Sequence, residues 1–318
     1  MSNGGDIFRI LYHPQSPANP RWSMKMANKN PEYDIYLPVW DKPEPWFEFS
    51  EGQRQTFVGN NPWRFSSSDK KESIHSQASS CEAVVTVYPN AIAVGGPAGT
   101  SDAGSNGILG IAIFIVGIAL SIMMLMVTKL HPFSLLFVFM LVSSLFGLSF
   151  AIRMTFFSFR DLPALFNKAS RTVTITKPRP VPFLKFWQPG IVDRVTTYSW
   201  DAVQVRTYKT MQMMGETSRE SYNLTLLCAD SDKPHLFKDF TYLGYVETWE
   251  DAPLWRLWEH IRRYMEEDGP PLQPGEMLRT SGFGKLPKFP QHLIDAAGGE
   301  ALSVEELEKL TDYAQETR

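Results

Sequence analysis

The chain has 318 residues, and 31 lysines and arginines against 34 acidic residues give a formal net charge of −3. This charge and a pI near 6.1 argue against a nucleic-acid partner, because a general nucleic-acid-binding protein carries a basic excess on one face. The two cysteines, Cys81 and Cys228, lie in separate segments, which excludes a disulfide scaffold and a Cys-x-x-Cys metal or redox protein.

Formal charge is almost absent from residues 107–152, which contain Lys129 and no acid. The runs 108–127 and 132–152 are each long enough, at about 1.5 Å per residue, to cross the roughly 30 Å hydrocarbon core of a bilayer as a helix. Only residues 128–131 separate them, so we predict a transmembrane helical hairpin with the lipid bilayer as its partner.

Small residues recur at four-residue spacing in both predicted spans, as Gly117 with Ser121 and as Ser143 with Gly147. Such residues allow helices in lipid to approach closely. These four positions are therefore the predicted helix-packing or partner contacts. The spans contain no acid or arginine before residue 153, which argues against a transporter or pump.

Basic residues follow the second span, whereas the turn between the spans carries Lys129 alone. The positive-inside rule therefore predicts that the exit side is cytoplasmic. A hairpin returns the chain to its starting side, so both termini are predicted to be cytoplasmic. This role as topology determinants is preferred to a specific lipid-headgroup site. The four basic residues are Arg153, Arg160, Lys168 and Arg171.

Residues 1–80 are predicted to form a cytoplasmic arm and loop, rich in proline and aromatic residues up to 65 and polar and mobile from 66. The arm is expected to cover either the C-terminal domain of this chain, which is preferred, or a partner protein. Residues 81–106 predict a β-hairpin and a glycine-rich lead into the first span. A lone two-stranded ribbon is marginally stable, so the hairpin should pair with a sheet elsewhere.

Residues 153–270 predict a cytoplasmic, mostly antiparallel β domain closed by an amphipathic helix. This plan is that of small β-barrels of the pleckstrin-homology type, and it fits other α+β arrangements nearly as well. Thr248 and Asp251 suggest a capping box for the helix. Residues 271–318 predict a linker and a short acidic helix opened by a capping box from Ser303 to Glu306. The predicted strands are 171–176, 194–200, 202–208, 221–227 and 236–242.

Sequence motifs for catalysis are absent. The six histidines are scattered, and none has a second ligand at metal-site spacing, so no metal or other cofactor is predicted. His260 is interpreted as a surface or boundary residue, and Cys228 as a small core residue. The fold class is thus an α+β membrane protein, and the chain is predicted to be a non-enzymatic interaction protein.

The segment from Arg160 to Val173, with the sequence RDLPALFNKASRTV, resembles an uncharacterised bacterial family that places Arg-Asp-x-Pro-x-x-Phe-Asn-Arg directly after a transmembrane hairpin. Trp200-Asp201 and the helix within 254–270 are also similar, and the resemblance covers roughly residues 85–275. Lys168 stands where an arginine is usual. The residues that carry the motif are Asp161, Pro163, Phe166, Asn167 and Trp258.

Members of that family tend to be encoded among type VI secretion genes, beside toxic effectors. The resemblance implies an immunity protein of the bacterial inner membrane that binds a cognate effector, or alternatively a non-catalytic scaffold or accessory of effector secretion. An enzyme acting on lipid or peptidoglycan precursors is a third, less favoured reading. Toxin contact would use either the small-residue faces of the hairpin or an exposed strand edge of the domain. A homo-oligomer is left open.

Overall fold

The computed structural model describes residues 34–40, 42–50, 53, 61–97, 101–128, 133–157, 161–178, 192–214, 217–230, 232–279 and 286–309. Within these ranges the fold is α+β, with two antiparallel sheets and a helix that follows the last strand. This agrees with the predicted class.

The first sheet has the order β2-β3-β4-β5-β6, so each strand pairs with the next one in the chain. The predicted β-hairpin is confirmed as β2 and β3, and it joins a larger sheet through β3 and β4, as expected. The strands are β1 (Pro62–Phe65), β2 (Val84–Tyr88), β3 (Ala91–Val94), β4 (Ala164–Asn167), β5 (Thr172–Pro178) and β6 (Val192–Ser199).

The second sheet has the order β1-β7-β8-β9. Its strands β7 (Val203–Met214), β8 (Thr217–Ala229) and β9 (Phe237–Thr248) have 12, 13 and 12 residues and are longer than their apolar patterns predicted. In β7 and β8 the extra length arises because these two strands continue as a ribbon past β1 and β9.

Two apolar helices, α1 (Ser101–Thr128) and α2 (Ser134–Phe156), lie in the chain between β3 and β4. By length and composition, Gly107–Thr128 and Ser134–Arg153 are able to cross a membrane. These segments match the predicted spans within a few residues. The predicted turn, residues 128–131, lies outside the described residues beyond Thr128.

The amphipathic helix α3 (Ala252–Glu266) packs on the main core together with both sheets. The predicted capping box between Thr248 and Asp251 is wrong, because α3 begins at Ala252 and the Asp251 side chain makes no capping bond. That carboxylate instead accepts hydrogen bonds from Thr207 Oγ1, at 3.0 Å, and from Trp255 Nε1, at 2.8 Å.

Segments expected to be loose are packed against the domain. The loop at 66–80 was predicted to be mobile, yet Ile74, His75 and Ser80 are buried. The predicted linker also packs: Phe289 and the residues around α4 (Gln291–Ala296) cover the outer face of β3. The described part of the arm lies on the C-terminal domain of the same chain, the preferred alternative, while residues 1–33 lie outside the described residues.

Candidate functional site

The base of the hairpin, where the chain leaves β3 and returns to β4, is held by a buried ion pair. Arg279 Nη1 lies 2.7 Å from Asp161 Oδ2, and both side chains are buried. The other carboxylate oxygen of Asp161 accepts hydrogen bonds from the backbone N–H groups of Gly96, at 2.9 Å, and Leu162, at 2.8 Å. Arg279 also donates to the carbonyl oxygens of Gly96 and Glu82. The family-motif residue Asp161 thus joins both ends of the hairpin to a segment beyond α3.

Glycines allow this close approach. A Cβ atom on Gly95 would collide with the Asp161 carboxylate, and one on Gly96 would lie 2.8 Å from the Tyr242 carbonyl oxygen. Gly244 has a φ of +70°, and its N–H donates to the Gly95 carbonyl oxygen at 2.8 Å. The two sheets therefore meet at the point where the hairpin begins.

Small residues form the contact between α1 and α2. A Cβ on Gly117 would lie 2.9 Å from Ser144 Oγ, and one on Gly147 would overlap the ring of Phe114. Ser121 is buried in the same seam and donates to the Gly117 carbonyl oxygen at 2.7 Å. Three predicted packing positions, Gly117, Ser121 and Gly147, thus lie between the two helices.

Ser143, the fourth predicted packing residue, is exposed, and its neighbour Ser144 faces Gly117 instead. One residue turns an α-helix by about 100°, so spacing alone does not fix which of two adjacent serines faces the partner helix. The seam continues toward the hairpin base as Gly110 against Ala151 and Gly107 against Thr155.

Two of the predicted topology determinants lie in the domain, in the turn beyond β4. Lys168 forms an ion pair with Asp268, and Arg171 lies 3.0 Å from Glu266 and 3.1 Å from Asp201. At about 3.4 Å per residue, the four residues of β4 separate this turn from the hairpin base. Their effect on membrane orientation stays a prediction.

The other two basic residues lie close to α2 in the chain. Arg153 is in the last turn of α2 and is only 8% exposed. Its Nη1 atom is buried and has no hydrogen-bond partner. Arg160 lies outside the described residues.

The remaining family-motif residues hold the domain together. The rings of Phe166 and Trp258 each pack on Trp200, with centroid separations of 6.2 and 5.4 Å. Asn167 accepts a hydrogen bond from Ser170 N–H at 3.1 Å and donates to the carbonyl oxygen of residue 296 at 2.9 Å. The buried Pro163 offers its carbonyl oxygen to Thr176 Oγ1 at 3.3 Å. The motif residues therefore pack the core and link segments of the chain, rather than forming a reactive centre.

Helix α3 anchors the loop at 66–80 through a buried charge network. Glu259 is fully buried, and its Oε1 atom lies 2.7 Å from Arg263 Nε. Burial would raise the pKa of Glu259, but hydrogen bonds from Arg262, Ile74 N–H and Arg263 hold that pKa below its ordinary value. Arg262 also donates to the Lys70 carbonyl oxygen at 3.2 Å.

His260 was expected at a surface or boundary and is fully buried. Its ring nitrogens lie 3.1 Å from the Pro271 carbonyl oxygen and 3.1 Å from Gln273 Nε2. Burial lowers the pKa of His260. The neutral ring therefore fastens the turn that follows α3.

Lys70 is the buried cation of the same loop. Its Nζ donates to the Trp200 carbonyl oxygen at 2.6 Å and lies 4.8 Å from the centroid of the indole ring. Burial lowers the pKa of Lys70 to about 8, although Asp201 and Glu266 act to raise it. The amine is positioned as a structural donor.

The arm is fixed by two arginines that sequence reasoning missed. Arg206 Nη2 lies 2.8 Å from Glu44 Oε1, and Arg64 Nε lies 3.2 Å from Asp251 Oδ2, with all four side chains buried. These pairings and the pair of Asp161 with Arg279 join residues far apart in the chain. No local spacing in the sequence signals them.

A smaller polar cluster lies between the sheets, where Lys177 pairs with Asp239 and Tyr198 Oη lies 3.4 Å from Asp239 Oδ2. Cys228 is fully buried nearby, and burial raises the pKa of its thiol well above the ordinary value. The core interpretation of Cys228 is confirmed. In the described ranges, no group of three histidine, cysteine or acidic side chains is placed to hold a metal ion.

The ribbon formed by β7 and β8 extends beyond its neighbours. Among the described residues, β1 pairs with β7 only from Arg206 to Tyr208, and β9 pairs with β8 only from Ser221 onward. Met211 is exposed on the extension, and Trp249, which follows β9, is 87% exposed with a φ of +88°. A bulky residue at positive φ is uncommon and marks a position that merits a functional test.

Comparison with known proteins gave one similarity. Residues 138–290 match a family of unknown function, DUF6708. The matched range begins within α2 and includes β4 to β9 and α3, so it contains every motif residue described above. No curated protein matched the chain. No solved structure matched it either.

Proposed function

We propose that the protein is an immunity protein of the bacterial inner membrane, anchored by the α1–α2 hairpin, whose cytoplasmic domain binds and neutralises a type VI secretion effector. The observation that carries the anchoring is the outer surface of the hairpin. Only 6% of the most apolar window of each helix is buried. A core helix of a soluble protein would be mostly covered, so these exposed apolar faces support a bilayer as their solvent.

The strand order supports the pleckstrin-homology type of plan for the domain. Strands β3 to β6 form a four-strand meander, strands β7 to β9 form a three-strand meander, and α3 follows. The hairpin then replaces the loop between the first two strands of this plan. Strands β1 and β2 are additions at the sheet edges.

The packing of the hairpin favours toxin capture by the domain over capture by the hairpin. Gly117 and Gly147 each face the other helix of the hairpin. These positions are therefore occupied by the α1–α2 contact and are not exposed to a toxin. The β7–β8 ribbon instead presents backbone that no described strand covers beyond Tyr208, together with the exposed Met211. Strand edges of this kind bind extended segments of other proteins.

The buried acids support a binding role rather than catalysis. Asp161, Glu259 and Glu44 each pair with an arginine that ties separate segments together. A general acid or base needs access to a substrate, which such pairing denies.

Contact-dependent competition on solid medium tests the function. A strain lacking this protein and the neighbouring effector gene is expected to be killed by its parent, and restoring this protein should prevent killing. Met211→Asp should abolish protection, whereas Ser143→Leu, at an exposed hairpin position, should preserve it. Equal survival with and without the protein, while effector delivery is active, would refute immunity and favour a scaffold of secretion.

A further inference from the structure

Five arginines are buried among the described residues, and four of them pair with a carboxylate. Arg64, Arg206, Arg262 and Arg279 lie within 3.2 Å of the carboxylates of Asp251, Glu44, Glu259 and Asp161. Arg153 is the exception within the described part of the chain, because none of the ion pairs found there includes it. A buried guanidinium without a counter-anion is strongly unfavourable.

Arg153 is also directed away from the contact between the two helices. Ala151 and Thr155 face α1 at Gly110 and Gly107. Arg153 is two residues from each, which places it about 200° around the helix from both. The Cα–Cβ bond of Arg153 therefore points away from the small-residue seam, and among the described residues no contact of its side chain with α1 supplies a counter-charge.

The position of Arg153 along α2 indicates which anion is near. Arg153 is the last residue of the apolar segment Ser134–Arg153, and the rings of Phe156 and Phe157 beyond it are exposed. Aromatic residues at the end of a span are typical of the level of the lipid headgroups. The abundant anion at that level is the phosphate diester, and the planar fork of a guanidinium binds phosphate through paired hydrogen bonds.

We propose that Arg153 holds a phosphate group at the base of the hairpin, supplied by a phospholipid headgroup. This inference rests on the membrane insertion of the proposed function. The phosphate supplies the counter-charge of Arg153, as the Asp161 carboxylate supplies that of Arg279. The site tethers one lipid beside the junction between the hairpin and the domain.

Native mass spectrometry of the full chain in delipidating detergent tests the site, with dioleoyl phosphatidylglycerol, phosphate-free dioleoylglycerol and inorganic phosphate as probes. Phosphatidylglycerol should bind the wild-type protein, and Arg153→Gln should weaken binding at least tenfold. Arg153→Lys should be intermediate, because an ammonium keeps the charge and loses the fork. Arg219→Gln, at an exposed arginine of the ribbon, is the matched control and should bind like the wild type.

Binding of phosphatidylglycerol that inorganic phosphate does not displace assigns the phosphate to lipid. Binding of inorganic phosphate that depends on Arg153 and displaces the lipid assigns the site to a free anion and overturns the lipid source. Equal binding of dioleoylglycerol and phosphatidylglycerol, or equal lipid binding by Arg153→Gln, overturns the site. If Arg153→Gln does not fold, the ratio of wild-type to Arg153→Lys affinity decides, with no difference counting against the proposal.

Extraction of membranes with alkaline carbonate separates the two failures. Wild-type protein that stays in the membrane yet shows no Arg153-dependent lipid binding refutes this inference alone. Protein released by carbonate refutes membrane insertion, and the lipid site falls with it.

Discussion

The hairpin and the β domain place large and small side chains in opposite ways. In the hairpin, Leu135 and Phe139 are 76% and 70% exposed, while Gly117 and Ser121 lie at the helix contact. In the domain, by contrast, the large side chains of Trp200, Trp255 and Trp258 are fully buried. Water drives large apolar groups inward, whereas lipid does not, so helix pairs in lipid associate through close packing of small residues. The difference supports the proposal that the hairpin lies in lipid while the domain lies in water.

Buried ion pairs also distinguish the domain from the hairpin. The domain buries ion pairs that connect distant segments, such as Arg206 with Glu44 and Arg64 with Asp251. The junction of the two regions is itself closed by such a pair, Asp161 with Arg279. The junction therefore follows the packing rules of the domain rather than those of the hairpin.

The largest effect is expected in the aromatic core of the domain. Trp258→Ala should lower the free energy of unfolding by about 3–5 kcal/mol, because it leaves a cavity beside Trp200. Phe139→Ala, at an exposed position of α2, should leave domain stability unchanged. Denaturant titration followed by tryptophan fluorescence measures both variants. Equal losses of unfolding free energy in the two variants would contradict the proposed difference in packing between the domain and the hairpin.

The junction comes next. Asp161→Asn should lower the free energy of unfolding by about 3 kcal/mol, because it leaves the Arg279 guanidinium buried without its counter-charge. Glu220→Gln, which breaks the partly exposed pair with Lys209, is the matched control and should have no measurable effect. Pulse proteolysis in urea reports the difference. A silent Asp161→Asn would show that the junction is not held by this pair.

The small-residue seam predicts a moderate effect. Gly147→Leu should destabilise the hairpin by about 1–3 kcal/mol, because the new side chain overlaps the Phe114 ring. Ser143→Leu should be tolerated, since Ser143 is exposed. Titration of micelles with sodium dodecyl sulfate measures hairpin unfolding in both variants. A larger loss of stability in Ser143→Leu than in Gly147→Leu would show that Ser143, and not Ser144, faces α1.

Lys70 gives a pH dependence that belongs to the domain. Its pKa falls from 10.5 to about 8 on folding, so between these values the unfolded chain binds a proton that the folded chain does not. The stability of wild type relative to Lys70→Met should therefore rise by about 1–2 kcal/mol between pH 8 and pH 9.5. Urea titrations at several pH values measure this difference. A pH-independent difference would show that the amine is not desolvated.

The smallest effect is expected at the short C-terminal helix of residues 304–309, which begins with the predicted capping box of Ser303 and Glu306. Ser303 Oγ lies 2.8 Å from the Glu306 carboxylate, and Glu306 N–H donates back to Ser303 Oγ at 3.4 Å. Ser303→Ala should cost about 0.5–1 kcal/mol of local helix stability. Hydrogen exchange of the amides in this turn should accelerate, while amides of α3 stay unchanged. Equal exchange in both proteins would show that the box contributes nothing.

Features set by neighbouring residues were predictable from the sequence. The two apolar spans, the β2–β3 hairpin and the capping box at Ser303 all depend on short-range patterns. The predicted box at Asp251 was wrong because α3 begins only at Ala252, and the Asp251 carboxylate pairs with a distant residue, Arg64. Arg279 lies in a segment without periodicity, so its pairing with Asp161 had no local signal.

Labelling of single cysteines tests the anchoring of the domain most directly. In a Cys81→Ser, Cys228→Ala background, a cysteine replaces either Phe133, at the hairpin tip, or Glu300, exposed on the domain. A membrane-impermeant thiol reagent is applied to cells with a permeabilised outer membrane. Phe133→Cys should be labelled in intact cells, and Glu300→Cys only after lysis. Labelling of both or of neither in intact cells, or of Glu300→Cys alone, would contradict a hairpin that anchors a cytoplasmic domain.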